Sequence, residues 1–241
     1  MKRFRGVRAG LTVFALALAA SAASASDERV IERAIPAGKI RELAVKGHVG
    51  EINIVTGNSD NVVLRLRLKP KEYGGWLFGR SKGDPERAEL RSETRGDSLA
   101  FDLRYDGDRD GLEENWSFEV PARLAARIHF SVGDINIRGL TGGLDLKLNV
   151  GDIIVEIPEG SVNAEVNVGD IRVNTATGSY GSIRLEANVG GTRIDGADSG
   201  RVKRSRGYGP GDTAWLDGDG RDRIRLEVNV GDASLRIRTA N

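Results

Sequence analysis

One short unit recurs through the second half of the chain and limits what it can fold into. Val132-Gly133-Asp134-Ile135 returns as Val150-Gly151-Asp152-Ile153 and as Val168-Gly169-Asp170-Ile171. It weakens to Val189-Gly190-Gly191 and returns as Val230-Gly231-Asp232, with an early relative at Val49-Gly50-Glu51-Ile52. Successive units from Val132 onward are 18, 18, 21 and 41 residues apart. Ahead of each Gly, apolar and polar residues alternate, as in Leu144, Leu146, Leu148 and Val150 with Asp145, Lys147 and Asn149 between them. Ala164, Val166, Val168 and Leu226, Val228, Val230 follow the same rule, and alternation resumes at Ile153, Val155 and Ile157. A period of two rich in β-branched residues predicts strands with one buried face. Gly before Asp predicts a sharp bend where a Cβ would clash. No stretch carries a long helical period.

Gly-Asp could close two-residue hairpins of an antiparallel meander, or form the corner of a solenoid coil. The solenoid accounts for more. It explains the near-constant coil length and the recurrence of Asn149, Asn167, Asn188 and Asn229 just before each Val-Gly, because stacked Asn side chains hydrogen-bond along a ladder. The predicted fold is therefore all-β: a single right-handed β-helix-like solenoid with coils of 18–21 residues and an irregular N-terminal β cap. Residues 26–120 form the irregular region or early coils, and 121–241 the regular repeats. The step of 41 predicts a degenerate coil between 189 and 230, with Pro210-Gly211-Asp212 at its corner. The final strand is expected to leave an open edge through which two copies could pair.

The first 25 residues read as a secretory signal peptide. Lys2, Arg3, Arg5 and Arg8 precede the apolar run Leu11–Ala20, and Ala23-Ser24-Ala25 supplies the cleavage site. The apolar run falls short of the roughly 20 residues that span a membrane. Cleavage removes four basic and no acidic residues, leaving 32 basic against 35 acidic and a net charge of −3 in place of +1. Such a chain lacks the basic charge that drives nucleic-acid binding. The expected location is exported, and periplasmic rather than at the cell surface. No Cys is present, so disulfides, thiolate metal sites and lipid-modified Cys anchors are excluded.

No motif assigns chemistry. Asp134, Asp152, Asp170 and Asp232 fall at one corner of successive coils, where they could bind Ca²⁺ but more simply satisfy backbone N–H groups at tight turns. Asn149, Asn167, Asn188 and Asn229 read as a structural ladder. His48 and His129 have no motif partner, and Ser131 beside His129 implies no dyad. The outward residues Asp145, Lys147, Glu156, Glu165, Arg172, Arg184, Glu186, Arg225 and Glu227 change sign from coil to coil, as on a solvated, ion-paired face, without the acid cluster of a polysaccharide-cleaving enzyme. The candidate interaction surface is the segment whose alternation fails. There Arg204, Arg206 and Tyr208 would point inward, so the chain must swing out and expose them with Trp215. A second aromatic patch, Tyr73 and Trp76, lies in a Gly-rich loop.

The Val-Gly-Asp-Ile units, with Val120-Pro121-Ala122-Arg123-Leu124 before them, resemble the bacterial "putative adhesin" domain of exported proteins, over about residues 40 to 240. The resemblance implies a solenoid and no established catalytic residues. It departs at Gly191, where the Asp is lost, and across 201–220. The function expected is a non-enzymatic, adhesin-like structural or interaction module of the cell envelope. No cofactor or metal is expected. The expected partner is an envelope protein or anionic envelope polymer, with no nucleic acid, no membrane span after cleavage, and self-association through the open edge. The alternatives are a periplasmic partner of an envelope-stress regulator and a polysaccharide-active β-helix enzyme.

Overall fold

A computed structural model describes residues 28–73, 81–106, 111–176, 180–206 and 209–238. Alternation of apolar and polar residues produces strands throughout: β1 (Arg29–Pro36), β2 (Glu42–Thr56), β3 (Asn61–Pro70), β4 (Glu72–Tyr73), β5 (Ser81–Lys82), β6 (Ala88–Arg95), β7 (Ser98–Tyr105), β8 (Leu112–Val120), β9 (Ala125–Arg138) and β10 (Leu144–Val150). The series continues with β11 (Ile153–Ile157), β12 (Val162–Val168), β13 (Ile171–Ala176), β14 (Tyr180–Val189), β15 (Thr192–Asp195), β16 (Lys203–Arg206), β17 (Asp212–Asp217), β18 (Asp222–Val230) and β19 (Ala233–Arg238). Among the described residues there is no α-helix, only a short 3₁₀ turn at Pro85–Arg87. The protein is all-β. Among the described residues, seventeen strands belong to one hydrogen-bonded sheet, and β4–β5 pair apart from it.

The strands are arranged in tiers. Each repeat contributes one strand before its Gly-Asp corner and one after it, and both pair in parallel and in register with the corresponding strands of neighbouring tiers. β10 lies between β9 and β12, and β11 between β9 and β13. β2 and β9 run through the corner unbroken and pair over their whole shared length, Gly50 opposite Gly133. The inward residues form one apolar core: Ile52, Ile128, Ile135, Leu146, Ile153, Val155, Ala164, Ile171 and Leu226 are essentially inaccessible to solvent. At the N-terminal end the core is deepened by Phe101, Trp116 and Phe118. The Trp116 and Phe118 rings stack at 6.1 Å, and the Trp116 Nε1 donates to the buried Glu114 carboxylate at 3.0 Å.

Tiers do not stack in chain order, and this is the main departure from the sequence-based expectation. The strands that follow β12 and β13 in the chain are β14 and β15, but those that stack on them are β18 and β19. β14 and β15 in turn stack on the far side of β18 and β19. The last repeat of the chain is thus inserted between the two before it. The other end mirrors this: β8 and β9 are joined by a short connection, yet β2 lies between them. Each end of the regular stack therefore skips one tier, filled at one end by an early segment and at the other by a late one.

Two expectations are corrected by this order. No degenerate coil occupies 189–230 with a corner at Pro210-Gly211-Asp212. Instead β17 runs antiparallel to β14, Asp212 opposite Ala187, and β16 runs antiparallel to β17. The charged alternation of Arg201–Arg206 has no apolar face to bury, so the segment folds back as a hairpin across the end of the stack. The final strand, β19, is not an open edge, because it is paired on both sides by β13 and β15. In the Gly- and charge-rich stretches 71–85 and 106–114, the described residues include the short β4–β5 pair and the start of β8.

Candidate functional site

The corner columns define the surface. Gly50, Gly133, Gly151, Gly169, Gly231 and Gly190 all have φ between +129° and +141°, where Gly is favoured over residues bearing a Cβ. Each sits on the backbone of the tier before it: a Cβ on Gly151 would lie 1.8 Å from the Gly133 carbonyl oxygen, and one on Gly231 2.0 Å from that of Gly169.

On one side of this column the Asp row links tier to tier. Asp134 Oδ1 accepts from the Asp152 N–H at 3.1 Å, Asp152 Oδ1 from Asp170 at 2.9 Å, and Asp170 Oδ1 from Asp232 at 2.9 Å. Asp232 Oδ1 completes the series by accepting from the Gly191 N–H at 2.7 Å. Each carboxylate thus caps the next tier's backbone rather than its own turn. Arg172 bridges Asp152 and Asp170 at 3.0 and 2.6 Å. Among the described residues no group of three or more His, Cys, Asp or Glu is arranged to hold a metal ion.

On the other side runs the Asn row. Asn167 donates to Asn149 at 2.6 Å, Asn229 to Asn167 at 2.7 Å, and Asn188 to Asn229 at 2.6 Å. The row follows the stacked order 149, 167, 229, 188.

Between the two rows stands a feature the alternation did not reveal. Val132, Val150, Val168, Val230 and Val189 are 40–47% exposed and form a continuous apolar ridge. The expectation that Val150, Val168 and Val230 continue the buried face is therefore corrected. The inward residues flanking the corner, Leu148 and Ile153, are five apart. An odd interval cannot keep a period of two, so the bend turns out Asn and Val together. That count was available in the sequence.

Beside the ridge lies a groove of about 540 Å³, walled by the Asn row and by the row two residues earlier. That second row reads Lys46, His129, Lys147, Glu165, Glu227 and Glu186 across the tiers. Chain order had suggested alternating signs. In this row, however, Glu165, Glu186 and Glu227 fall in successive repeats, and the inserted tier places Glu227 between the other two, with Lys46 and Lys147 toward the other end. Each glutamate has a cationic partner: Lys147 Nζ donates to Glu165 at 2.9 Å, Arg225 to Glu227 at 2.6 Å, and Arg184 to Glu186 at 3.2 Å. The Glu165 hydrogen bond and charge hold the Lys147 ammonium above its ordinary pKa. His129 and Ser131, two apart on β9, share a face and both line the groove. His48 sits at its end, its backbone N–H donating to Glu114 at 3.2 Å.

The candidate cluster of the irregular segment is only partly described. Tyr208, Trp76 and residues 1–25, read as a signal peptide, lie outside the described residues. Arg206 lies in β16 opposite Asp212, and Tyr73 in β4 opposite Ser81. Arg204 is exposed but held, its Nη1 donating to the Thr192 carbonyl at 2.9 Å and to the buried Asp212 carboxylate at 3.3 Å. Trp215 is half-buried on β17 between Arg184 and Lys203. This basic hairpin therefore serves at least as the cover of the stack's end, blunting an edge that other strands would otherwise join.

The fold and surface define a class: an all-β protein of parallel, in-register tiers whose recurring corner makes a ridge and a groove. A putative cell adhesion protein from Clostridium sporogenes matches with a TM-score of 0.51 at 15% identity, over 88% of this chain and 100% of that one. This likeness carries the fold alone. A putative adhesin from Bacteroides fragilis matches at 12% identity and a TM-score of 0.31, covering 87% of this chain and 97% of its own. One from Parabacteroides distasonis matches at 10% and 0.26 with the same coverage. These two are too dissimilar to carry an argument. No protein-family model matches the chain, and no curated protein does. No helix among the described residues is long and apolar enough to cross a membrane.

Proposed function

We propose that the protein is a non-enzymatic, adhesin-like β-solenoid, exported to the bacterial cell envelope, where it acts as a structural or interaction module. Its binding surface is the corner: the valine ridge with the Asn-lined groove beside it. The observation that carries this reading is the ridge itself. Five valines at the same corner are held outward by a bend the core does not require them to cover, and contiguous exposed apolar surface rimmed by polar residues marks interaction sites. The ion pairing of Glu165, Glu227 and Glu186 supports a contact face over a hydrolytic one, which needs carboxylates free for acid–base and nucleophilic roles. Export rests on the leader-like residues 1–25, and the adhesin-like character on the fold shared with the Clostridium protein. The partner is an envelope protein or polymer, met in the periplasm.

A photo-reactive side chain placed at Asn167, beside the ridge, tests this in intact cells. It is expected to give discrete adducts, whereas the same group at exposed Arg193 on β15 gives none. Replacing Val150, Val168 and Val230 by lysine should reduce the Asn167 adducts by about tenfold or more, as when central apolar contacts of an interface are removed. Equal adducts at Arg193, or no change in the triple variant, would contradict the assignment.

A further inference from the structure

We propose that the slot between β12–β13 and β14–β15 accepts the β18–β19 segment of a second copy of this chain, so that two chains exchange residues 222–238 and form a dimer. The slot is flanked by strands that all precede the segment in the chain, and the segment hydrogen-bonds to both of its walls. The Gly169 N–H donates to the Val230 carbonyl at 2.9 Å and Ile171 to Asp232 at 2.9 Å on one side. On the other, Gly231 donates to Val189 at 2.9 Å and Ala233 to Gly191 at 3.0 Å. The Asn and Asp rows pass through the segment at Asn229 and Asp232. An empty slot would break both rows and leave two bare strand edges facing each other, a template for any matching strand.

In each copy the segment seated there is 222–238. Its connection to the rest of the chain is residues 218–221, Gly-Asp-Gly-Arg. That connection is fastened by the Gly218 N–H to the Gly181 carbonyl at 3.0 Å and Gly220 to Tyr180 at 3.3 Å. Extending those four residues exchanges the segment while regenerating every contact in the slot. This is the condition under which swapping of an identical element is a low-cost route to a dimer. The balance is then set by tethering. A short flexible connection gives its segment an effective concentration of about 1 mM, so chains that fold in dilute solution close on themselves and those that fold while crowded exchange.

The absence of native Cys makes the test direct. Full-length Val168→Cys and Val230→Cys single variants are unfolded together, refolded at about 1 mM and about 0.01 mM, and oxidised. Val168 and Val230 are register partners in adjacent tiers and exposed, about 4.8 Å apart as neighbouring strands are, within disulfide range. A disulfide between the two variants in excess of that in a pair too far apart to join therefore reports one chain's segment in the other's slot. The expected result is a disulfide-linked heterodimer at the higher concentration that falls at least tenfold in yield at the lower one. Val132→Cys paired with Val230→Cys is the control, because three tiers put them about 14 Å apart. Only monomer at both concentrations, or equal linkage in the Val132 control, would overturn the proposal.

Discussion

Replacing Gly151 by alanine is expected to destabilise the protein by about 4 kcal/mol or to abolish folding, near the extreme for single substitutions. Two effects combine. Gly151 has φ +131°, and holding a residue with a Cβ in a sparsely populated backbone region costs about 1–3 kcal/mol. The new Cβ would also lie 1.8 Å from the Gly133 carbonyl oxygen. That atom is backbone, fixed by the tier below, so relief requires moving the whole column and the Asp and Asn rows on either side of it. Gly169→Ala should behave alike, since its Cβ would meet the Gly151 carbonyl at 1.9 Å. Gly209→Ala is the control: nothing lies within 4 Å of its Cβ, and the effect should stay within about 0.5 kcal/mol. Urea denaturation followed by far-UV circular dichroism measures all three. A loss below about 1 kcal/mol for Gly151→Ala would show that the corners are not stacked as described.

Deleting residues 222–241 is expected to remove cooperative folding altogether. In a stack built in chain order, the last tier is an end, and its loss exposes one interface while the remaining tiers persist. Here the deleted segment is interior. Its removal separates β14, β15 and the β16–β17 hairpin from β12 and β13, and takes Leu226, Val228, Ala233 and Leu235 out of the core. The truncated chain should aggregate or show a broad, non-cooperative melt. A soluble chain with a sharp transition and stability within about 2 kcal/mol of the parent would contradict the inserted tier.

Much of the local structure was legible in the sequence because it is periodic. Alternation marked the strands, and the Gly-Asp pairs marked bends that only Gly can make without a clash. The Asn at a fixed offset marked a column that links tiers, whereas the Asp, expected to satisfy their own turns, instead cap the next tier. What was not legible follows from the same repetition. Tiers of one pattern fit one another equally well, so Val168-Gly169 carries no local sign that Val230-Gly231, and not Val189-Gly190, stacks on it. The place of Glu227 between Glu165 and Glu186 depends on that order and was hidden with it. The step of 41 residues contained the clue, but it was open to a second reading. A degenerate coil and an antiparallel hairpin need similar lengths of chain, and only the charged alternation of Arg201–Arg206 favoured the hairpin. The valine ridge was missed for a simpler reason: alternation was extended through the corner, where the backbone changes its phase.

The stacking order is tested most directly by intrachain disulfides in the dilute, full-length protein. Val168→Cys/Val230→Cys and Val189→Cys/Val230→Cys join register partners, about 4.8 Å apart in adjacent strands. Val168→Cys/Val189→Cys spans two tiers, about 10 Å, beyond the roughly 7 Å limit for a disulfide. The account predicts that the first two double variants oxidise to a cross-linked monomer and the third does not. Efficient cross-linking of the third pair, with failure of the first, would show that the tiers follow the chain.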